Sequence, residues 1–212
     1  MICVSLSLSD PEEVLRLLES VDFAEIRLDL MTVGAADVRR IFSASSRLIA
    51  TCRRGGRTEE ERESLLEAAV LAGAAYVDLD IQTDAGLMRS IIPLARRKSC
   101  EVILSFHDFQ ETPGRADLIR TIDFGFQSGA DIVKIACQVN DPSENARLLG
   151  ILEDPRPLVV VGMGELGRIT RVFAPLLGSR FTYAGPAVGL ETAPGQLPVA
   201  ELRKLLEALK DV

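Results

Sequence analysis

The sequence predicts an α/β protein, a closed (β/α)8 (TIM) barrel in one compact domain. Three observations carry this. Short β-branched or apolar runs alternate with longer segments of helical spacing along the whole chain, and that alternation builds a parallel sheet. There are about eight such units, and eight is the number that closes a barrel. The 212 residues divide into roughly 26 per unit, just enough for strand, turn, helix and turn. An open doubly wound sheet is the competing architecture.

Taken in order, the strands are expected at Ile2–Ser7, Phe23–Leu30, Leu48–Cys52, Tyr76–Ile81, Val102–Phe106, Ile132–Ala136, Leu158–Val161 and Phe181–Ala184. The helices fall near 10–19, 35–43, 58–72, 84–97, 115–128, 141–152, 165–177 and 198–210. Three helix starts carry matching chemistry. Ser9-Asp10-Pro11-Glu12 supplies a cap and a first-turn proline ahead of an amphipathic Val14-Leu15-Leu17-Leu18 face. Thr58-Glu59-Glu60-Glu61 reads as a capping box with acids at the positive end of the helix dipole, and Asp141-Pro142-Ser143-Glu144 repeats the device. Gly185–Pro198 is the one long loop rich in glycine and proline. The expectation is a single domain over 1–212.

Composition narrows the function. Lys+Arg 24 against Asp+Glu 31 leaves a net charge of −7, which argues against nucleic acid or an acidic membrane surface as partner. Aromatic residues are 5% of the chain and tryptophan is absent, so the core is aliphatic and base-stacking platforms are not expected. Cys3, Cys52, Cys100 and Cys137 form no CxxC pair and read as small buried hydrophobes. The N-terminus lacks the basic and apolar regions of a signal peptide, and no apolar run is long enough to span a bilayer. A cytoplasmic location is the expectation.

In such a barrel the chemistry lies at the C-terminal ends of the strands. Glu25, Arg27 and Asp29 alternate along strand 2, Arg53 ends strand 3, and Asp78 and Asp80 lie on strand 4. Strand 5 ends Ser105-Phe106-His107-Asp108, strand 6 carries Lys134, helix 7 carries Arg171, and the last loop carries Thr192 and Gln196. Lys134 is the most informative, because a lysine inside an apolar parallel strand is costly to bury unless paired or neutral. One reading pairs it with a barrel carboxylate. The other makes it a Schiff-base nucleophile, since desolvation and neighbouring cations favour the free amine that attacks a ketone. His107 is the only histidine in the chain and lies one strand earlier at the same end, where it can shuttle protons. Asp108, Glu25 or Asp80 are candidates to fix its tautomer. Arg53 and Arg171 point to an anionic substrate. Gly162-Met163-Gly164-Glu165-Leu166-Gly167 is a formal GxGxxG, but no acid follows about 20 residues on, so it reads as a tight turn beside the pocket rather than a dinucleotide site.

Seven motifs run in one order along nearly the whole chain. They are Glu25-Ile26-Arg27-Leu28-Asp29, Thr51-Cys52-Arg53, Asp78-Leu79-Asp80, Ser105-Phe106-His107-Asp108-Phe109, Lys134-Ile135-Ala136, Met163 followed by Arg171, and Ala193-Pro194-Gly195-Gln196. With these the chain resembles the type I 3-dehydroquinate dehydratases, the Schiff-base enzymes of the shikimate pathway. The resemblance implies that Lys134 forms an imine with the C3 ketone of 3-dehydroquinate and that His107 moves protons. It implies that Arg171 holds the substrate carboxylate, and that Glu25, Arg27 and Arg53 bind ring hydroxyls. Gln196 and Thr192 would close over the substrate from the last loop, and Ser5 would line the pocket. It implies no metal or organic cofactor, and a homodimer. Three other readings compete: a Schiff-base aldolase, a metal-dependent sugar isomerase using Glu25, Asp78, Asp80 and His107, and a non-catalytic carboxylate-binding barrel.

Overall fold

The computed structural model describes residues 1–82 and 85–209. Eight strands alternate with eight α-helices in the order β1 (Ile2–Leu6), α1 (Pro11–Leu18), β2 (Ala24–Arg27), α2 (Ala35–Ala44), β3 (Leu48–Thr51), α3 (Glu59–Leu71), β4 (Tyr76–Asp80), α4 (Ala85–Arg97), β5 (Glu101–Asp108), α5 (Arg115–Gln127), β6 (Ile132–Gln138), α6 (Pro142–Gly150), β7 (Leu158–Met163), α7 (Arg168–Phe173), β8 (Thr182–Ala184) and α8 (Val199–Ala208). The strands form one sheet in the order β7-β6-β5-β4-β3-β2-β1-β8. At the entry to β8, the Arg180 N–H donates to the Leu158 carbonyl of β7 at 2.8 Å, so the two ends of that order meet. This is the (β/α)8 barrel the alternation predicts.

The helix starts behave as their residues dictate. The Asp10 carboxylate accepts from the Glu12 N–H at 3.0 Å, with Pro11 opening α1. Thr58 and Glu61 exchange side-chain and backbone hydrogen bonds at 3.2 and 2.8 Å, and Asp141 with Glu144 does the same for α6. Residues 84 and 210, at the ends of two expected helices, lie outside the described residues.

The chain divides into two compact units. One comprises Leu6–Leu104 with Gly129–Asp131. There β2, β3 and β4 pair in parallel, with Arg27 beside Thr51 and Thr51 beside Asp78. β3 is buried at all four positions, as expected for a parallel strand covered on both faces. The other unit comprises Met1–Ser5, Ser105–Ser128 and the chain from Ile132 onward. There β1 pairs with β8 and β6 with β7, again in parallel, placing Lys134 beside Val159 and Cys3 beside Tyr183. Val172, Ala184, Leu197, Leu202 and Leu206 pack together under α7 and α8.

Several boundaries differ from expectation. β2 stops at Arg27 rather than running to Leu30, because Leu28–Leu30 turns into a 3-10 helix. β5 runs on to Asp108, so His107 lies within the strand. β6 and β7 extend to Gln138 and Met163. The expected helix over 165–177 is α-helical only over Arg168–Phe173, followed by a 3-10 turn over Ala174–Leu176. Pro175 is the reason: it has no N–H to offer the Arg171 carbonyl. The Thr182 hydroxyl donates to that carbonyl instead, at 2.8 Å.

All four cysteines are buried, and none of them forms a disulfide. Burial pushes the Cys52 thiol up to about 11 and those of Cys100 and Cys137 up to about 12, as small hydrophobes and not nucleophiles. Among the described residues no helix is long and apolar enough to cross a membrane.

Candidate active site

The unit that carries β6 holds six of the expected residues, and a seventh residue that sequence reasoning missed. Lys134 lies in the middle of β6 between fully buried Val133 and Ile135, and only 7% of it is exposed. Its Nζ stands 4.3 Å from the centroid of the Tyr183 ring. Tyr183 is the missed residue. Nothing in the sequence singled it out, because both tyrosines of the chain, Tyr76 and Tyr183, fall in strands.

Arg171 is the fourth residue of α7 and is almost wholly buried. Its Nη1 donates to the Tyr183 carbonyl at 3.4 Å and its Nη2 to the Pro194 carbonyl at 3.1 Å. Its buried Nε has no hydrogen-bond partner, and among the described residues no carboxylate neutralises the guanidinium. Burial, with a smaller push from Arg168, lowers its pKa to about 10. It is therefore still cationic at neutral pH, and a bound carboxylate supplies what the fold leaves out.

Ser5, Thr192 and Gln196 meet through hydrogen bonds. The Thr192 hydroxyl donates to the Ser5 hydroxyl at 2.7 Å. The Thr192 N–H donates to Gln196 Oε1 at 2.9 Å, and Gln196 Nε2 donates back to the Thr192 hydroxyl at 3.1 Å. The last loop is thereby tied to the end of β1.

The loop after β7 is built for close approach. A Cβ on Gly195 would stand 2.2 Å from the Gly164 carbonyl oxygen, and both glycines have positive φ. The same contact brings the Gly164 N–H to the Pro194 carbonyl at 3.3 Å. The GxGxxG run is thus a seat for the last loop.

His107 is the seventh residue of β5, and its ring lies nearly parallel to that of Phe109, 5.9 Å between centroids. The neighbouring Asp108 is engaged by its own loop, its Oδ1 accepting from the Gln110 and Glu111 N–H groups at 2.9 and 3.0 Å. Those two bonds make an Asx-type turn, the usual local task of an aspartate at a strand end.

The other unit holds the remaining residues. The Thr51 hydroxyl donates to Glu25 at 2.9 Å. Arg53 pairs with the fully buried Asp78 carboxylate at 2.7 Å, and its buried Nη1 has no hydrogen-bond partner. Burial works against the Arg53 charge, but Asp78 and Glu25 outweigh it and hold its pKa above the ordinary value. Arg27 is raised too: burial opposes the charge, and Asp29 and Glu25 outweigh it. Asp29 does not continue along the face of Glu25 and Arg27 as expected. The 3-10 turn swings it back so that it binds Arg27 with both oxygens, at 3.0 and 2.6 Å. Asp80 accepts from the Gln82 N–H at 3.0 Å. Fully buried Arg62 of α3 was also missed. Its Nε and Nη2 donate to the Cys52 carbonyl at 2.9 and 2.8 Å, which fixes the peptide just before Arg53. Among the described residues no group of three or more histidine, cysteine or carboxylate side chains is gathered to hold a metal ion.

Comparison with known proteins gives one consistent match. The family model described as Type I 3-dehydroquinase matches residues 2–211. A 3-dehydroquinate dehydratase of Methanococcoides burtonii is 36% identical over 201 residues, covering 89% of this chain and 85% of that one. One from Desulfotalea psychrophila is 34% identical, covering 95% of each. The crystal structure of the Geobacillus kaustophilus 3-dehydroquinate dehydratase superposes with a TM-score of 0.87 at 26% identity, covering 99% of this chain and 91% of that one.

Proposed function

Because the chain belongs to the type I 3-dehydroquinase family, and is thereby a carbon–oxygen hydro-lyase, we propose that it converts 3-dehydroquinate to 3-dehydroshikimate by syn elimination of water through an imine on Lys134. The observation that carries the reading is Lys134 itself: an amine buried mid-strand in an apolar run, beside an aromatic ring. In this reading the Lys134 nitrogen adds to the C3 carbonyl and water leaves, giving a protonated imine. That imine accepts the electron pair when the C2 proton is removed, which a ketone does less readily. His107 moves the proton at C2 and assists formation and breakdown of the carbinolamine. The C1 hydroxyl departs as water and hydrolysis frees the product.

Arg171 holds the substrate carboxylate, a role supported by its buried charge without a counter-ion. Glu25, Arg27 and Arg53 bind the ring hydroxyls, Gln196 with Thr192 closes over the substrate, and Ser5 lines the pocket. No metal or organic cofactor enters this scheme. Residues 1–212 act as one catalytic domain, working as a cytoplasmic homodimer. Sedimentation checks the dimer as a particle of twice the 23.0 kDa chain mass, and a 23.0 kDa particle at micromolar concentration overturns it.

The deciding experiment is reduction with borohydride. With 3-dehydroquinate present, it should inactivate the enzyme and leave the reduced adduct on Lys134. Lys134→Ala should bind substrate without turning it over. Absence of the adduct, together with loss of activity in a chelator, would overturn the imine reading.

A further inference from the structure

The geometry points to Tyr183 as the positioning residue of the Lys134 nitrogen: we propose that its ring face holds that nitrogen in place and favours its cationic imine form. The proposal rests on the imine reading above and adds a residue to it. Nζ stands 4.3 Å from the ring centroid, well within the roughly 6 Å over which a ring face attracts a cation. Lys134 and Tyr183 are 7% and 3% exposed, so little solvent screens the attraction.

Tyr183 is held at three points. Its backbone sits in β8 in register with Cys3 of β1. Phe181 packs against it edge-on, with centroids 5.5 Å apart and planes at 69°. Its carbonyl accepts from Arg171 Nη1 at 3.4 Å. Tyr183 therefore connects the two functional groups of this unit. Its ring bears on the nitrogen that would bond the ketone, and its carbonyl on the guanidinium that would bind the carboxylate.

The chemistry explains what a ring face offers this nitrogen. The ammonium and the ketone together carry one positive charge, and so do the protonated imine and the water released. The amine is neutral while it adds to the ketone, so the ring faces a cation in the ammonium that precedes that step and in the protonated imine that follows it. Removal of the C2 proton sends an electron pair into the imine and neutralises the nitrogen. Departure of the C1 hydroxyl with a proton returns the pair and restores the cation. A ring face attracts the cation weakly, takes no proton, and leaves the nitrogen free to rotate into bonding geometry.

The test is a graded series at position 183. Tyr183→Leu should lower kcat roughly 10- to 30-fold while KM changes less than about threefold. Tyr183→Phe should recover most of that loss, because it keeps the ring. Phenylalanines bearing one, two and three fluorines, incorporated at 183, hold the shape nearly constant and drain the ring face of charge. Their log kcat should fall stepwise with fluorination. A flat fluorinated series, or a Leu variant with the kcat of the unaltered enzyme, overturns the proposal. The fluorinated series decides the matter even if the Leu variant does not fold. Borohydride labelling of Lys134 in the unaltered enzyme separates the two levels: no adduct there defeats the imine reading, whereas an adduct with a flat series defeats only the role of Tyr183.

Discussion

Asp29 binds Arg27 with both carboxylate oxygens across only two residues of chain, Nε to Oδ1 at 3.0 Å and Nη2 to Oδ2 at 2.6 Å. An extended strand would carry the two side chains along one face in parallel and out of fork geometry. The 3-10 turn over Leu28–Leu30 makes the fork possible. A guanidinium locked in this way presents its remaining donors in one direction. Asp29→Asn keeps the shape and removes the charge, so Arg27 should lose its orientation. KM for 3-dehydroquinate is expected to rise about 5- to 20-fold, with a smaller effect on kcat. Steady-state kinetics checks this, and an unchanged KM would show that Arg27 needs no such support.

Arg171 carries its charge in a nearly dry site with two backbone carbonyls as partners. Its folded pKa, about 10, lies below the ordinary guanidinium value because of burial. Folding therefore disfavours its protonated form. The resulting destabilisation is fully present below about pH 10 and is relieved only as pH climbs from there towards the ordinary guanidinium pKa. A substrate-like carboxylate should remove this cost at neutral pH. Differential scanning fluorimetry at pH 7 is expected to show Tm rising by several degrees with such a ligand. Arg171→Leu should abolish that shift and lower kcat/KM by at least about 100-fold. A variant that still shows the ligand-induced shift would mean the carboxylate binds elsewhere.

Gly195 touches the backbone of Gly164 so closely that a methyl group would fall 2.2 Å from its carbonyl oxygen, at a φ of +75°. Gly195→Ala must therefore lift Pro194 away from the Gly164 N–H and from Arg171. Thr192 and Gln196 on the same loop move with it. A loss of kcat/KM of about tenfold or more is expected, together with faster amide hydrogen exchange over 187–196. Gly34→Ala is the control: nothing lies within 4 Å of its Cβ position, φ is −104°, and kinetics should not change.

Much of the fold was legible because its signals are local. Period-2 and period-3.6 patterns, and caps such as Thr58 with Glu61, depend on neighbours within one turn of chain. The strands and helices consequently appear in the expected number and order, with ends displaced by a few residues. The largest displacement is in α7. There Pro175 breaks the ladder and Thr182, eleven residues from Arg171, takes over the vacated carbonyl.

Lys134 was legible for a related reason: a charge inside an apolar strand conflicts with its surroundings, and the conflict is visible in the residues alone. Tyr183 and Arg62 raised no such alarm. A tyrosine in a core strand and an arginine on a helix are ordinary until one knows what lies against them.

The residues by themselves thus determined the barrel, its eight units, and the candidate chemical groups, because each follows from composition, periodicity or a motif. Only the tertiary structure decided how those groups are oriented. It turned Asp29 back onto Arg27, set the Tyr183 ring beneath Lys134, seated Pro194 and Gly195 on Gly164, and gave the buried Arg171 two backbone carbonyls but, among the described residues, no carboxylate. Apart from the local Asp29 turn, these relationships join residues distant in the chain. The pairing of such residues depends on strand register and side-chain packing, and neither is encoded in any short stretch of sequence.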